Sequence, residues 1–320
     1  MGSDCDSRPW PLVVVLGPTG SGKSELALNL AEAVKGEILN CDSVQTYRGL
    51  NIGSAKLPLE ARRGVPHHLL DVIDIDQELT AGGYSRLARE TLSAIRARGR
   101  VPIVAGGTGF YLKALLDGLS PAPLRNNALR ERLSAVAERR PGALHRFLRV
   151  HDPLAARRIH GNDRQKLIRA LEMTLLARQP ATRIQSRPRE NLQGFSVLKL
   201  GLAPDRSQLY ERLNQRSAAM FQQGLLEETR VLKAAFSPQT KALQSLGYKQ
   251  ALQVLDDQLT VEQAIRECQT RTRQYAKRQI TWFRADPGVH WLHGFGWDPD
   301  IQAQALAQVG AFLAARDPEP

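Results

Sequence analysis

Short apolar runs alternate with helix-like segments in the first third of the chain. Three such runs, 12–16, 37–41 and 101–105, each end in a glycine, polar or acidic turn. Apolar runs of this length that alternate with helical periods are typical of βαβ units around a parallel sheet. A fourth run, 195–202, predicts a return to that sheet. Helices are predicted over the segments 25–34, 207–233 and 261–284.

Residues 121–194 follow a different pattern. They are rich in Arg, Leu, Ala and Glu, and their apolar residues recur every three or four positions without a convincing strand. This spacing is typical of amphipathic helices. We therefore predict a helical insertion at 121–194 that interrupts an α/β core made of 10–120 and 195–315.

The first apolar run leads into a complete G-x-x-x-x-G-K-S sequence. Its glycines let the backbone curl its N–H groups toward one point, and the following helix adds the positive end of its dipole. Lys23 adds a point charge, and the Ser24 hydroxyl is placed to ligate Mg²⁺. The sequence therefore predicts a P-loop NTPase-like core that binds a polyphosphate. The expected contacts are Gly17, Pro18, Thr19, Gly20, Ser21, Gly22, Lys23 and Ser24.

Two further loops follow the carboxyl ends of predicted strands. One contains Asp42, Ser43, Val44 and Gln45, and the other is the glycine-rich segment 106–109. In open α/β sheets, ligands bind at this edge, so we expect the three loops to converge. Asp42 could instead cap a helix or bind magnesium, and 106–109 could be only a tight strand-to-helix turn.

Two sequence features that are absent argue against an ATP-driven motor and a GTPase. The run 101–105 leads into glycines rather than the acidic residue that motor ATPases use to hold magnesium, and the chain has no Asn-Lys-x-Asp guanine signature. A group-transfer enzyme is favoured, in which a positioned carboxylate takes a proton from an incoming nucleophile.

The charge of the chain points to a polyanionic partner. Lys and Arg number 44 against 32 Asp and Glu, a net charge of +12, and the surplus lies C-terminal to the phosphate loop region. A basic chain without such a partner is the alternative. A predicted helix carries Arg266, Arg273, Lys277 and Arg284 seven, four and seven residues apart, so they share one stripe that suits a phosphate backbone or is simply solvated.

The remaining features predict an ordinary intracellular chain. No apolar run reaches the 18 residues of a membrane span, which predicts a cytoplasmic protein. Cys5, Cys41 and Cys268 are far apart and are expected to be free thiols. We expect His67 and His68 to lie in a loop without a metal. Solvated loop positions are predicted for Lys56, Arg62 and Arg63.

Six motifs taken together resemble one family, the tRNA dimethylallyltransferases, also called tRNA isopentenyltransferases, in their bacterial form. The resemblance covers nearly the whole chain. The motifs are the phosphate loop and the segments Asp42–Gly53, Gly106–Lys113, Asn162–Glu172, Ser245–Lys249 and Lys277–Arg284.

The resemblance implies transfer of a dimethylallyl group from dimethylallyl diphosphate to N6 of the adenosine 3′ of the tRNA anticodon. Diphosphate leaves, so the phosphate loop would hold a leaving group, with Mg²⁺ on Ser24. Catalytic roles are implied for Asp42 as general base, for Lys23, and for Thr19 near the bridging oxygen. Arg216 is a further diphosphate candidate, unless it is a solvated helix charge.

The same resemblance implies an extended tRNA surface, and a monomer is expected. Lys166 stands where Arg is commoner in the family, and it keeps the charge without the bidentate geometry. The implied tRNA contacts are Asp42, Ser43, Val44, Gln45, Thr108, Gln165, Lys166, Leu167, Ile168, Arg169, Gly247, Tyr248, Lys249, Lys277, Arg278, Gln279 and Arg284.

Two other functions stay open on the residues alone. A P-loop small-molecule kinase would use ATP in the loop and Asp42 to activate a hydroxyl, but it leaves the basic stripe without a role. An RNA-binding nucleotide-dependent switch would need an RNA affinity that depends on the nucleotide, and the missing acidic strand end argues against it.

Overall fold

Six parallel strands form one sheet in the computed structural model, which describes residues 8–315. The sheet order is β3-β2-β4-β1-β5-β6. All four apolar runs seen in the sequence are strands, which confirms the predicted α/β class. The strands are β1 Trp10–Leu16, β2 Glu37–Asn40, β3 His67–His68, β4 Pro102–Gly106, β5 Phe195–Leu202 and β6 Val289–Leu292.

Thirteen α-helices lie within residues 8–315, together with a 3₁₀ turn at Leu59–Arg62. Those of the core are α1 Lys23–Ala33, α2 Ala81–Ala97, α3 Gly109–Leu116, α9 Arg206–Gln222, α10 Leu225–Ala235, α11 Tyr248–Leu255, α12 Val261–Arg284 and α13 Pro299–Ala314. Those of the insertion are α4 Asn127–Arg139, α5 Ala143–His151, α6 Pro153–Arg158, α7 Arg164–Ala177 and α8 Ala181–Gln185.

The sheet is covered on both faces, which explains why β1 is apolar at every central position. Leu12, Val14 and Leu16 pack into the cluster that includes residues of α2, α3, α11 and α12. Val13 and Val15 point the other way, into the cluster that includes residues of α1 and α13. Parallel strands buried on both faces have continuous apolar runs rather than alternating ones.

The chain divides into two compact units. One combines the described residues up to Leu116 with those from Leu192 onward, and the other is Asp117–Asn191. The second unit holds α4 to α8 and has its own apolar core, which includes Leu148, Leu171 and Ile184. In the sequence, this unit interrupts the first one, as a helical insertion does.

One buried carboxylate organises the charged interior of the insertion. Glu172 accepts hydrogen bonds from the Asn126 backbone N–H at 2.8 Å, from Arg130 Nε at 3.0 Å and from Arg169 Nη1 at 2.6 Å. Its side chain is fully buried. Burial raises the pKa of Glu172, but these hydrogen bonds lower it further, so the net pKa lies below its usual value of 4.5.

Two expectations about the segment after β2 are wrong. His67 and His68 form the edge strand β3, in parallel register with Ile38 and Leu39, and not a loop. Lys56 is not solvated: its ammonium is almost fully buried, pairs with Asp71 Oδ1 at 2.5 Å and also donates to the Tyr47 carbonyl. Both depend on contacts with distant residues.

Three further features can be described within residues 8–315. Cys41 and Cys268 are buried free thiols, whereas Cys5 lies outside the described residues. Within residues 8–315, no three His, Cys, Asp or Glu side chains are grouped so that they could hold a metal. None of the helices in that range combines the length and apolarity required to cross a membrane.

We predict that Glu172→Ala destabilises the insertion by about 3 kcal/mol, because two guanidinium groups lose a buried partner. The folded pKa is depressed, so the ionised form stabilises the insertion above pH 4.5, and that contribution is lost as pH falls through the lower folded pKa. Amide hydrogen exchange in α7 should therefore show protection that falls with acid in the wild type and falls less in Glu172→Gln. Glu138→Gln, at an exposed pair with Arg164, is the matched control. Equal acid dependence in Glu172→Gln and the wild type would contradict the prediction.

Candidate active site

Three loops meet at the carboxyl ends of the adjacent strands β2, β4 and β1. They surround a cleft of about 520 Å³. The structure thus brings together residues that the sequence placed on separate loops. The cleft is lined by Thr19, Gly20, Gly22, Lys23, Ser24, Glu25, Asn40, Asp42, Gln45, Ser54, Ala55, Leu57, Ala105, Gly106, Arg212, Arg216 and Trp297.

The phosphate loop has the backbone that its glycines allow. Gly20 and Gly22 have φ of 79° and 88°, in the left-handed region where a side chain is strained. Gly22 is also the N-cap of α1, so the loop passes directly into the helix whose positive end faces the cleft. This arrangement supplies N–H groups and a helix dipole for an anion.

Lys23 is folded back over this loop. Its Nζ donates to the Pro18 carbonyl at 2.7 Å. Burial lowers the pKa of Lys23 to about 8, the Asp42 carboxylate opposes that shift, and the Arg216 guanidinium adds to it. A bound anion would favour the charged lysine.

Asp42 is held in a tight turn after β2. Its Oδ1 accepts from the Val44 N–H at 2.8 Å, and the Asn40 side chain bonds to both the backbone N–H and the carbonyl of Asp42. Within residues 8–315, no hydrogen bond engages Asp42 Oδ2. One carboxylate oxygen is therefore fixed, and the other is able to accept a proton.

Thr108 fixes the glycine-rich loop to the Asp42 loop. Its Oγ1 accepts from the Ser43 N–H at 3.0 Å, and its own N–H donates to the Cys41 carbonyl at 3.1 Å. Tyr275 of α12 lies close to Thr108, and burial together with the nearby Asp42 carboxylate raises the pKa of its hydroxyl. Tyr275 therefore stays a neutral hydrogen-bonding group beside the carboxylate.

Gln279 has a different position from the one that the resemblance implied. Its Oε1 accepts from the Thr19 N–H at 2.7 Å, and its Nε2 donates to the Gly107 carbonyl at 2.8 Å. The side chain is 5% exposed. Inside the core, the Gln279 side chain joins the phosphate loop to the glycine-rich loop. It is therefore an internal brace and not the RNA contact that the resemblance implied.

Arg216 reaches into the cleft from α9. Its Nη1 lies 3.5 Å from Thr19 Oγ1. Burial lowers the pKa of Arg216, which the Asp42 carboxylate partly opposes. A guanidinium is so weakly acidic that the group nevertheless remains charged. Arg216 is thus a partly buried cation of the cleft and not a solvated helix charge.

A smaller chamber of about 80 Å³ adjoins the cleft beside Asp42, Thr19 and Arg216. Much of its remaining wall is apolar. The wall includes Val44, Leu213, Met220, Leu246 and Cys268. The arrangement places a small apolar space next to a carboxylate and a phosphate cradle.

The predicted RNA contacts on α11 divide in two. Lys249 is exposed, whereas Tyr248 is fully buried. The Tyr248 hydroxyl donates to Glu228 Oε1 at 2.5 Å and accepts from the Gly53 N–H at 3.1 Å. Tyr248 therefore anchors Gly53, which precedes the cleft residues Ser54 and Ala55. Its side chain has a structural role and not the RNA contact that the resemblance implied. Gly247 is the buried N-cap of α11, with φ of 91°.

The predicted contacts on α7 divide in the same way. Gln165 and Lys166 are exposed, and Arg169 is partly exposed while paired with Glu172. Leu167 and Ile168 are buried in the core of the insertion. Their side chains are therefore corrected to packing residues.

The α12 stripe is mostly open to solvent. Arg266, Lys277 and Arg284 are exposed, whereas Arg273 is partly buried and donates to the Asn214 side chain. Arg278, next to the stripe, is exposed as well. The helix thus presents cations outward and Gln279 inward.

Arg212 and Trp297 are among the cleft residues that the sequence analysis missed. Arg212 lies one helical turn before Arg216, and that spacing was a usable signal. Trp297 lies in the loop after β6, whose position depends on tertiary contacts.

Comparison with known proteins gives one consistent family. The sequence profile of the IPP transferase family matches residues 45–286. The chain is 54% identical over 304 residues to the tRNA dimethylallyltransferase of Solibacter usitatus, covering 95% of this chain and 99% of that one. It is 53% identical over 296 residues to that of Koribacter versatilis, covering 92% and 96%.

Solved structures agree with this grouping. The tRNA isopentenylpyrophosphate transferase of Bacillus halodurans is 33% identical, with a TM-score of 0.70 and 96% coverage of both chains. A eukaryotic dimethylallyltransferase acting on tRNA is 28% identical, with a TM-score of 0.82, covering 96% of this chain and 80% of that one.

We predict that the affinity for inorganic diphosphate falls as pH rises through about 8, because Lys23 is protonated below its lowered pKa and neutral above it. Lys23→Arg keeps its charge and should show a flatter profile between pH 7 and 9.5. Titration calorimetry measures both affinities, and ionisation of diphosphate itself affects the two proteins equally. Parallel profiles in the two proteins would show that titration of Lys23 does not cause the pH dependence of diphosphate affinity.

Proposed function

The chain belongs to the IPP transferase family, and we propose that it transfers a dimethylallyl group from dimethylallyl diphosphate to tRNA. The acceptor is N6 of the adenosine 3′ of the anticodon, and diphosphate is released. The kinase and the nucleotide switch are not favoured, because the similar proteins are named for this transfer.

The observation that carries the proposal is the junction of two environments at Asp42. On one side lie the phosphate loop, Lys23 and Arg216, and on another lies the small apolar chamber. A branched five-carbon group fits the size and character of that chamber, which is far below the volume of a typical ligand pocket. A diphosphate ester with a short apolar tail matches both parts.

The reaction has a simple balance. The bond between the allylic carbon and the diphosphate oxygen breaks, and its electron pair leaves with diphosphate. N6 forms a bond to that carbon and gives its proton to Asp42. The loop N–H groups, Lys23 and Arg216 stabilise the negative charge that develops on diphosphate, and Thr19 lies where it can donate to the bridging oxygen.

Asp42 supports the base role by its geometry. Its Oδ1 is held by the turn, while Oδ2 is able to accept a proton. Adenine N6 is a weak nucleophile, so removal of its proton during attack helps the reaction. The target base must leave its stack to reach the cleft, which is how enzymes act on bases in general.

The cleft also suits Mg²⁺. Ser24 lines it, and the described residues contain no cluster of three metal-binding side chains, which fits an ion held mainly by substrate phosphates, water and one hydroxyl. When bound, Mg²⁺ would neutralise charge on diphosphate.

The insertion is proposed to bind tRNA. Residues 117–191 contain 16 Lys and Arg and 7 Asp and Glu, a net charge of +9 out of +12 for the whole chain. Such an excess suits the phosphate backbone of a nucleic acid. Gln165, Lys166 and Arg169 are the exposed or partly exposed candidates on α7. A cytoplasmic location remains part of the proposal, because tRNA is a cytoplasmic substrate. A monomeric state stays a prediction.

We predict that Asp42→Asn lowers the rate of transfer by about 10²- to 10⁴-fold. Asparagine keeps an Oδ1 that accepts from the Val44 N–H, so the turn should survive. The measurement is the mass of unmodified tRNA after incubation with the protein, Mg²⁺ and dimethylallyl diphosphate, with ATP replacing the diphosphate in a control. Thermal unfolding checks that the variant is folded. ATP consumption without a gain of mass in the wild type would support the kinase instead.

We predict that Lys277→Ala raises the KM for tRNA several-fold and leaves the KM for dimethylallyl diphosphate unchanged. A lost phosphate contact should also lower the slope of log affinity against log salt concentration by about 1. Arg271→Ala is the matched control, because Arg271 lies on another face of the same helix and pairs with Glu267. A similar effect in both variants would contradict a specific contact between Lys277 and the tRNA.

A further inference from the structure

Arg212 and Trp297 form a stacked pair in the wall of the cleft. The guanidinium carbon of Arg212 lies 3.9 Å from the centre of the Trp297 ring, and both residues line the cleft with Lys23 and Arg216. Tryptophan is the aromatic side chain that attracts cations most strongly, and arginine is the more frequent cation in such pairs. The ring therefore fixes the orientation of the cation.

Trp297 is itself fixed to the phosphate loop. The N–H of Gly296 donates to the Ser21 carbonyl at 2.9 Å, and the Phe295 ring is stacked on Trp297 at 4.5 Å. A Cβ on Gly22 would lie 2.6 Å from the Trp297 ring, so the ring occupies the space that this glycine leaves. Movement of the phosphate loop and of Trp297 is thereby coupled.

The charges around Arg212 leave it available for an anion. None of the ion pairs among residues 8–315 involves Arg212. Of the two acids that line the cleft, Glu25 is paired with Arg63. Three cations therefore share the cleft with Asp42 as the remaining carboxylate, which is an arrangement that a polyanion stabilises.

Arg212 and Arg216 lie on successive turns of α9 and have different positions in the cleft. Arg216 is partly buried and reaches Thr19, next to the apolar chamber. Arg212 is exposed and does not line that chamber. Arg216 is therefore the nearer of the two to the bond that breaks.

We propose that Arg212 binds the terminal phosphate of the diphosphate and that Trp297 is the positioning residue that holds Arg212 in place. The inference rests on the proposed function and adds two residues to it. With one face on the indole ring, the guanidinium keeps its N–H groups in the plane, where they donate to phosphate oxygens in the bidentate manner that arginine favours.

A contact with the terminal phosphate is present in the bound substrate and in the transition state. Such uniform binding changes KM and not kcat. Arg216 and Lys23 act closer to the breaking bond and are expected to change kcat as well. This difference separates Arg212 from the catalytic residues.

The test compares Arg212→Ala, Arg212→Lys, Trp297→Leu and Trp297→Phe. We expect Arg212→Ala to raise both the KM for dimethylallyl diphosphate and the Kd of inorganic diphosphate about 10-fold, with little change in kcat or in the KM for tRNA. Arg212→Lys should restore only part of the affinity. Trp297→Leu should raise both constants about 3-fold, and Trp297→Phe should stay close to the wild type.

The matched control is Arg206→Ala. Arg206 lies on the same helix over the ring of Tyr210, at 5.1 Å, and is absent from the cleft. Its removal should leave the diphosphate constants unchanged. Thermal unfolding of every variant separates loss of binding from loss of folding, and Trp297→Phe retains a folded aromatic variant if Trp297→Leu is unstable.

A double-mutant cycle tests the positioning role. Trp297→Leu should have no further effect on diphosphate binding in the Arg212→Ala background, because the ring acts through the guanidinium. Additive effects would overturn that role, and unchanged diphosphate binding in Arg212→Ala would overturn the whole inference. If Arg212→Ala binds diphosphate as the wild type does, and the wild type still modifies tRNA, the inference fails and the proposed function stands. A wild type that binds diphosphate through Arg212 but modifies no tRNA would instead contradict the proposed function.

Discussion

The site depends on the two hydrogen bonds of the Gln279 amide. One ends on the Thr19 N–H of the phosphate loop, and the other ends on the Gly107 carbonyl of the next loop. Because Gln279 is buried near the C-terminal end of the cationic helix α12, the same rigid element braces the cradle from inside and presents Lys277 and Arg284 outside. An amide suits this role, since it offers one acceptor and one donor at fixed separation.

The charges of the cleft carry a cost that a ligand removes. Burial lowers the pKa of Lys23 and of Arg216, which means that the protein disfavours both cations in the absence of an anion. Asp42 offsets part of that cost and is at the same time the proposed base. A diphosphate that enters the cleft offsets the rest. The affinity for diphosphate and the cost of burying the two cations therefore have the same electrostatic origin.

The parts of the fold that could be predicted are those determined by local pattern. β1, β4, β5 and α12 follow from apolar period and length, and the phosphate loop follows from its glycines. The roles of Lys56, Tyr248 and Gln279 could not be predicted, because each depends on a partner far away in the chain: Asp71, Glu228 and Thr19. A polar side chain in a sequence carries no sign of whether its partner is water, protein or RNA.

The absence of an acidic residue after β4 has a steric cause. A Cβ on Gly106 would lie 2.2 Å from the Cys41 carbonyl oxygen, and a Cβ on Gly107 would lie 2.2 Å from Gln279 Nε2. No carboxylate side chain fits at either position while the three loops keep this spacing. The close approach that lets Thr108 and Gln279 lock the loops together therefore excludes the side chain with which other phosphate-loop proteins hold magnesium and orient water. A cleft built in this way favours transfer to a nucleophile brought from outside over hydrolysis.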